Sequence, residues 1–142
     1  MSFTLSNALR SSMANAVTAA IDAGSGPGLL RVYAGTRPAG PDTAVTSQTL
    51  LLEVELADPS FGAAANGVIT LDASPALAAE GLADGTATWF RIVDSNDAAI
   101  LDGKASAAGG GGNLILSTTT VSVGLDVEVV SGTITMPAGT AD

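Results

Sequence analysis

Thr86-Ala87-Thr88-Trp89-Phe90-Arg91-Ile92-Val93-Asp94, then Ser95-Asn96-Asp97, then Ala98 to Ala105, is the stretch that decides the fold class. The first nine residues are dominated by β-branched and aromatic side chains, which favour a pleated strand. Three turn formers follow, and the chain then returns, so the segment reads as a β-hairpin. Trp89 and Phe90 are adjacent and must point to opposite faces of a strand. One enters the core; the other sits under a helix or in an interface. Aromatic residues make up only 4% of the chain, so burial on both faces is the stronger reading.

The same two-residue period runs outward from this hairpin. Leu30, Val32 and Ala34 alternate with Leu29, Arg31 and Tyr33. Between Thr49 and Leu56, Leu50, Leu52, Val54 and Leu56 share one face, opposite Thr49, Leu51, Glu53 and Glu55. Short strands are expected at Val68–Leu71, Asn113–Ser117 and Val121–Val123. A last strand begins at Leu125 and continues past Gly132 to Met136; the alternation changes phase near Val129-Val130, and a bulge is expected around Gly132. Two prolines keep 35–42 out of any central strand. Residues 72–84 are Ala-rich and ambiguous, and Pro75 and Gly81 argue against a long helix there.

Only the N-terminal stretch has a helical period. Over residues 4–23, Leu5, Leu9, Met13, Ala16, Val17, Ala20 and Ile21 form one apolar stripe, with Thr4 as the expected N-cap and Gly24 as the stop. Gly24 to Gly28 then reads as a flexible hinge. It is no phosphate loop, because such loops follow a strand and open a helix, and here the order is reversed. The expected architecture is mainly β: a β-sandwich or partly open barrel of six to eight short strands with one N-terminal α-helix. One domain spans 1–142, with the helix at 4–23, the β domain at 29–136 and a C-terminal tail at 137–142.

Composition narrows the function. The chain has 142 residues and a formal net charge of -9, with five Lys and Arg against 14 Asp and Glu. The cations Arg10, Arg31, Arg37, Arg91 and Lys104 are scattered, which argues against nucleic-acid binding. No His and no Cys are present. Thiolate chemistry, Ser–His and Cys–His catalysis and ordinary zinc or copper sites are therefore excluded. Glu53 and Glu55 on one strand face read as a solvated side. Asp94, Asn96, Asp97 and Asp102 bracket the hairpin turn and could offer oxygen ligands to calcium, but turn formation explains them without a metal. Lys104, the only lysine, has no surrounding motif for a Ser–Lys pair. No catalytic residue, cofactor or metal is expected. No stretch reaches the roughly 20 apolar residues of a membrane span, and no signal peptide is expected at the N-terminus.

Three stretches carry a resemblance: Ala20-Ile21-Asp22-Ala23-Gly24-Ser25-Gly26-Pro27-Gly28; Leu30-Arg31-Val32-Tyr33 with Gly35-Thr36-Arg37-Pro38; and Ala87-Thr88-Trp89-Phe90-Arg91-Ile92. Together they resemble a family of small tailed-bacteriophage virion structural proteins, from Leu5 to about Pro137. The resemblance implies a virion component and offers no family catalytic residue. The leading expectation is a capsid decoration protein on the outer surface of the head, made in the host cytoplasm. It would bind the major capsid protein and itself, as a homotrimer at local three-fold positions. A tail or fibre component is the first alternative, and a non-catalytic sugar- or calcium-binding accessory domain the second. Leu5, Leu9, Met13, Val17, Ile21, Arg37 and Trp89 are the expected interface residues, the first five as a docking stripe on a tethered helix.

Overall fold

The computed structural model describes residues 2–141. Its one helix, α1 (Asn7–Asp22), precedes ten strands. These are β1 (Leu29–Ala34), β2 (Thr49–Glu55), β3 (Val68–Thr70), β4 (Leu77–Glu80), β5 (Gly85–Thr86), β6 (Trp89–Val93), β7 (Ala99–Ser106), β8 (Leu114–Leu116), β9 (Thr120–Val121) and β10 (Asp126–Thr135). Eight form one sheet in the order β2-β1-β6-β7-β8-β10-β3, with β4 also paired to β10; β5 and β9 form a separate ribbon. Every pairing is antiparallel except β7 with β8.

The sheet curls until its ends approach. The Leu82 N–H, just past β4, donates to the Leu51 carbonyl on β2 at 2.8 Å. The result is a partly open barrel, mainly β with an N-terminal helix, rather than a sandwich of two sheets. Its interior holds Leu30, Val32, Leu52, Val54, Phe90, Ile92, Leu114, Leu116, Val127 and Val129, all buried in one cluster. Burying such side chains is worth about 1.5–3 kcal/mol each, which is how a chain short of aromatics still forms a core. Packing leaves an apolar cavity of about 10 Å³ near Leu30, Phe61, Phe90 and Ile134.

Besides a register shift between Ile92 and Val93 in the β6–β7 pair, two bulges reset the alternation. Val32 pairs with Leu52 but Tyr33 pairs with Leu50, so Leu51 is the extra residue on β2. That slip buries Leu51 and leaves Leu50 half-exposed, correcting the assignment of Leu50 to the core face. The second lies between Val129 and Ser131, where a change of phase was expected, and it turns Val130 outward.

Helix α1 starts later than the stripe suggested. Ser6, not Thr4, is the N-cap, its side chain accepting from the Leu9 N–H at 3.1 Å. Thr4 instead bridges to Gly139, and the Thr140 N–H donates to the Phe3 carbonyl, so the segment expected as a tail lies against the N-terminus. Nor is the helix loosely tethered. The Asp22 carboxylate accepts from the Ser60 N–H, Asn15 from Ala64 and Ser11 from Gly67. Arg10 donates twice to the Met136 carbonyl, at 2.8 and 2.9 Å. At Gly28 the strand passes so close that a Cβ would lie 2.7 Å from Ile21 Cγ2. The glycine stretch permits this contact, so its role is close packing rather than hinging.

Candidate functional site

Alternation along β6 sends Phe90 and Ile92 into the barrel and Trp89, Arg91 and Val93 to its outside. On the neighbouring strands the register sets Tyr33 opposite Trp89, Asp102 opposite Arg91 and Lys104 opposite Trp89. This outer face would be exposed if residues 35–48, between β1 and β2, did not cross it. They close over it, and Trp89 is only 1% exposed.

The centre of the covered face is a buried ion pair. Arg91 Nε and Nη2 donate to the two Asp102 carboxylate oxygens at 2.7 and 2.9 Å. The side chains are 7% and 4% exposed. Arg91 Nη2 also donates to the Gly40 and Thr43 carbonyls at 3.0 and 2.9 Å, which ties the crossing loop to the sheet. A planar guanidinium suits this task, since its fork meets a carboxylate bidentately and keeps donors for other acceptors. The bond to Asp102 holds the Arg91 pKa above its usual value, burial opposing it. Tyr33 stacks on Trp89 with ring centroids 4.5 Å apart, and Arg91 Cζ lies 5.6 Å from the Trp89 ring. The Trp89 indole N–H is buried with no hydrogen-bond partner among the described residues.

Burial raises the Tyr33 phenol above the usual value, with the charges of Arg31 and Arg91 opposing it. A raised pKa in the folded state means stability that is complete below about pH 10 and falls as pH rises toward the folded value. Tyr33 is the only tyrosine, so phenolate absorbance reports it directly. The Tyr33→Phe variant is expected to lose less stability than the parent in urea titrations above pH 10. Equal alkaline loss in both would remove Tyr33 from that role.

Beside this covered region lies an open pocket of about 300 Å³, lined by Gly35, Arg37, Thr88, Trp89 and Lys104. Thr88 Oγ1 donates to the Gly35 carbonyl at 2.7 Å and holds the start of the crossing loop. Lys104 Nζ donates to the Gly110 carbonyl at 2.8 Å. Arg37 is exposed and makes no hydrogen bond or ion pair among the described residues.

The expected interface residues fall into three groups. Leu9 and Met13 are exposed, at 48% and 37%, and lie one turn apart on the outward side of α1. Leu5 and Val17 are half-buried. Ile21 and Trp89 are buried inside the domain and cannot meet a partner without opening it. The stripe therefore divides between Val17 and Ile21, which pack on the barrel beside Ala14, and Leu9 and Met13 facing out. Arg37 lies at the open pocket together with Lys104.

The turn carboxylates are each engaged. Asp94 accepts from the Asn96 and Ala98 N–H groups, Asp97 pairs with Arg31 at 2.7 Å, and Asp102 pairs with Arg91. Arg31 also meets Glu53 across the strands at 3.0 Å. Among the described residues no group of three or more acidic, His or Cys side chains could hold a metal. No described helix is long and apolar enough to cross a membrane.

The Arg91–Asp102 pair was the feature hidden in the sequence. Its signal is the hairpin itself: counting back from the Ser95-Asn96-Asp97 turn sets these residues opposite each other, provided the bulge between Ile92 and Val93 is counted. Fold and site together define a small acidic, partly open barrel braced by a helix. No protein-family model, curated protein or solved structure matches the chain.

Proposed function

We propose that this protein is a non-catalytic structural component of a tailed-bacteriophage virion, a capsid decoration protein on the outer surface of the head. It binds neighbouring subunits of the major capsid protein, associates with itself as a trimer at local three-fold positions, and so opposes outward pressure on the shell. The observation that carries this reading is the exposed apolar face of α1, where Leu9 and Met13 lie outward on a helix that five side-chain hydrogen bonds and a buried Ile21 hold rigidly to the barrel. A fixed apolar strip on an acidic surface offers adhesion where charged faces repel one another. The resemblance described above supplies the setting.

The test is a double substitution, Leu9→Asp with Met13→Asp. Both positions face solvent, so folding stability should change by no more than about 0.5 kcal/mol each. Particles incubated with the variant are expected to carry far less of it than particles given the parent chain, at unchanged circular dichroism. Full occupancy by the variant would reject the helix as the adhesive.

A further inference from the structure

We infer that the Arg37–Lys104 pocket is the acceptor half of a self-association contact, and that its occupant is the acidic patch of Glu80, Asp126 and Glu128 on a second copy of this chain. The contact is separate from the apolar helix face, and it does not depend on the capsid reading.

The pocket gathers two of the three cations, Arg10, Arg37 and Lys104, that make no ion pair among the described residues. Arg31 is spent on Glu53 and Asp97, and Arg91 on Asp102. Arg10 is held by the Met136 carbonyl and Asn7. Arg37 has no partner among the described residues, and the Lys104 ammonium makes one bond to a loop carbonyl and keeps two donors free. Both line one opening of about 300 Å³, with Gly35, Thr88 and the edge of Trp89. That is room for carboxylate side chains, and two cations there are placed to receive them.

The complementary surface is on the same molecule. Glu80 on β4 is the register partner of Asp126 on β10, so two carboxylates face each other across the strands. Glu128 follows Asp126 on the same outward side, since Val127 and Val129 between and beyond them point into the core. All three are exposed and none has a side-chain hydrogen bond or ion pair among the described residues. Like charges directly opposite each other in a sheet repel, and a partner's cations relieve that repulsion.

Within one copy these halves are not joined: Lys104 bonds to the Gly110 carbonyl, and neither it nor Arg37 pairs with Glu80, Asp126 or Glu128. They lie on different strands of the curled sheet, with β8 between β7 and β10. A pocket that meets the patch of a neighbour makes a head-to-tail contact.

Sedimentation of the purified full chain at low and high salt tests this with two reversal pairs. Arg37→Glu with Lys104→Glu removes the pocket charge; Glu80→Lys with Asp126→Lys removes the patch. The parent chain is expected to self-associate at low ionic strength and to dissociate in high salt. Each reversed chain alone should associate at least about tenfold more weakly, and mixing the two in equal amounts should restore association. The patch reversal is the discriminating arm, because it lowers the net negative charge. General repulsion predicts stronger association there, and the specific contact predicts weaker. A parent chain monomeric at low salt, a patch-reversed chain that associates as well as the parent, or a mixture that fails to recover would each overturn the inference. Decoration of particles through Leu9 and Met13 is read from particle occupancy and stands in each of those cases, whereas a monomeric parent chain would count against the proposed trimer as well as the pocket contact.

Discussion

Replacing Asp102 by Ala is expected to cost about 3–5 kcal/mol of folding stability, because it leaves the buried Arg91 guanidinium with no counter-charge. The Gly40 and Thr43 carbonyls would remain as its acceptors, but neutral oxygens do not balance a full charge at a site this dry. The loss should be visible twice. Urea denaturation should show a lower midpoint with an unchanged slope, and amide hydrogen exchange should quicken over residues 36–48 as the crossing loop loses its anchor. Removing both charges at once should cost much less than removing one. Arg91→Met with Asp102→Val comes close to the volume of the pair and omits its desolvation penalty, so much of the stability should return. If the single Asp102→Ala variant unfolds at the parent's midpoint, the ion pair does not hold the loop. If instead the double variant is as unstable as the single one, the pair acts through geometry that aliphatic side chains cannot replace.

That ion pair shows where a sequence alone stops being readable. The hairpin was plain, since β-branched and aromatic residues on either side of Ser95-Asn96-Asp97 admit few other structures. Which residues face each other was not plain, because the register slips by one between Ile92 and Val93. A slip of one residue exchanges every pairing beyond it. From the sequence Asp102 reads only as one of the carboxylates that bracket the turn, whereas its carboxylate is turned along the sheet to Arg91. The bulge at Leu51 had the same effect on β2, shifting the buried position from Leu50 to Leu51. Strand β4 was missed for a different reason: Leu77-Ala78-Ala79-Glu80 has too little contrast between large apolar and polar side chains to show a period. Arg37 and Lys104 converge only once β1, β6 and β7 are laid side by side, and no local pattern announces such a meeting.

The helix tests the same point with the second large effect. Its apolar residues fit one stripe on paper, yet only part of the stripe faces the barrel. Ile21 has no exposed surface and lies against Gly28, where the strand comes closer than any other residue type would allow. Ile21→Ala should therefore cost about 2–5 kcal/mol, the range for emptying a buried aliphatic site that cannot collapse. Collapse is hindered here because the helix is held at separate points by Arg10, Ser11, Asn15 and Asp22. Leu9→Ala, at a position close to half-exposed, should change stability by about 0.5 kcal/mol or less. The contrast within one helix matters more than either value. Two substitutions of similar chemistry on one sequence stripe separate a residue that builds the domain from one that is free to meet a partner. Equal losses at the two sites, measured by urea denaturation, would mean that the whole stripe is structural, and the helix would then have no face left for the capsid.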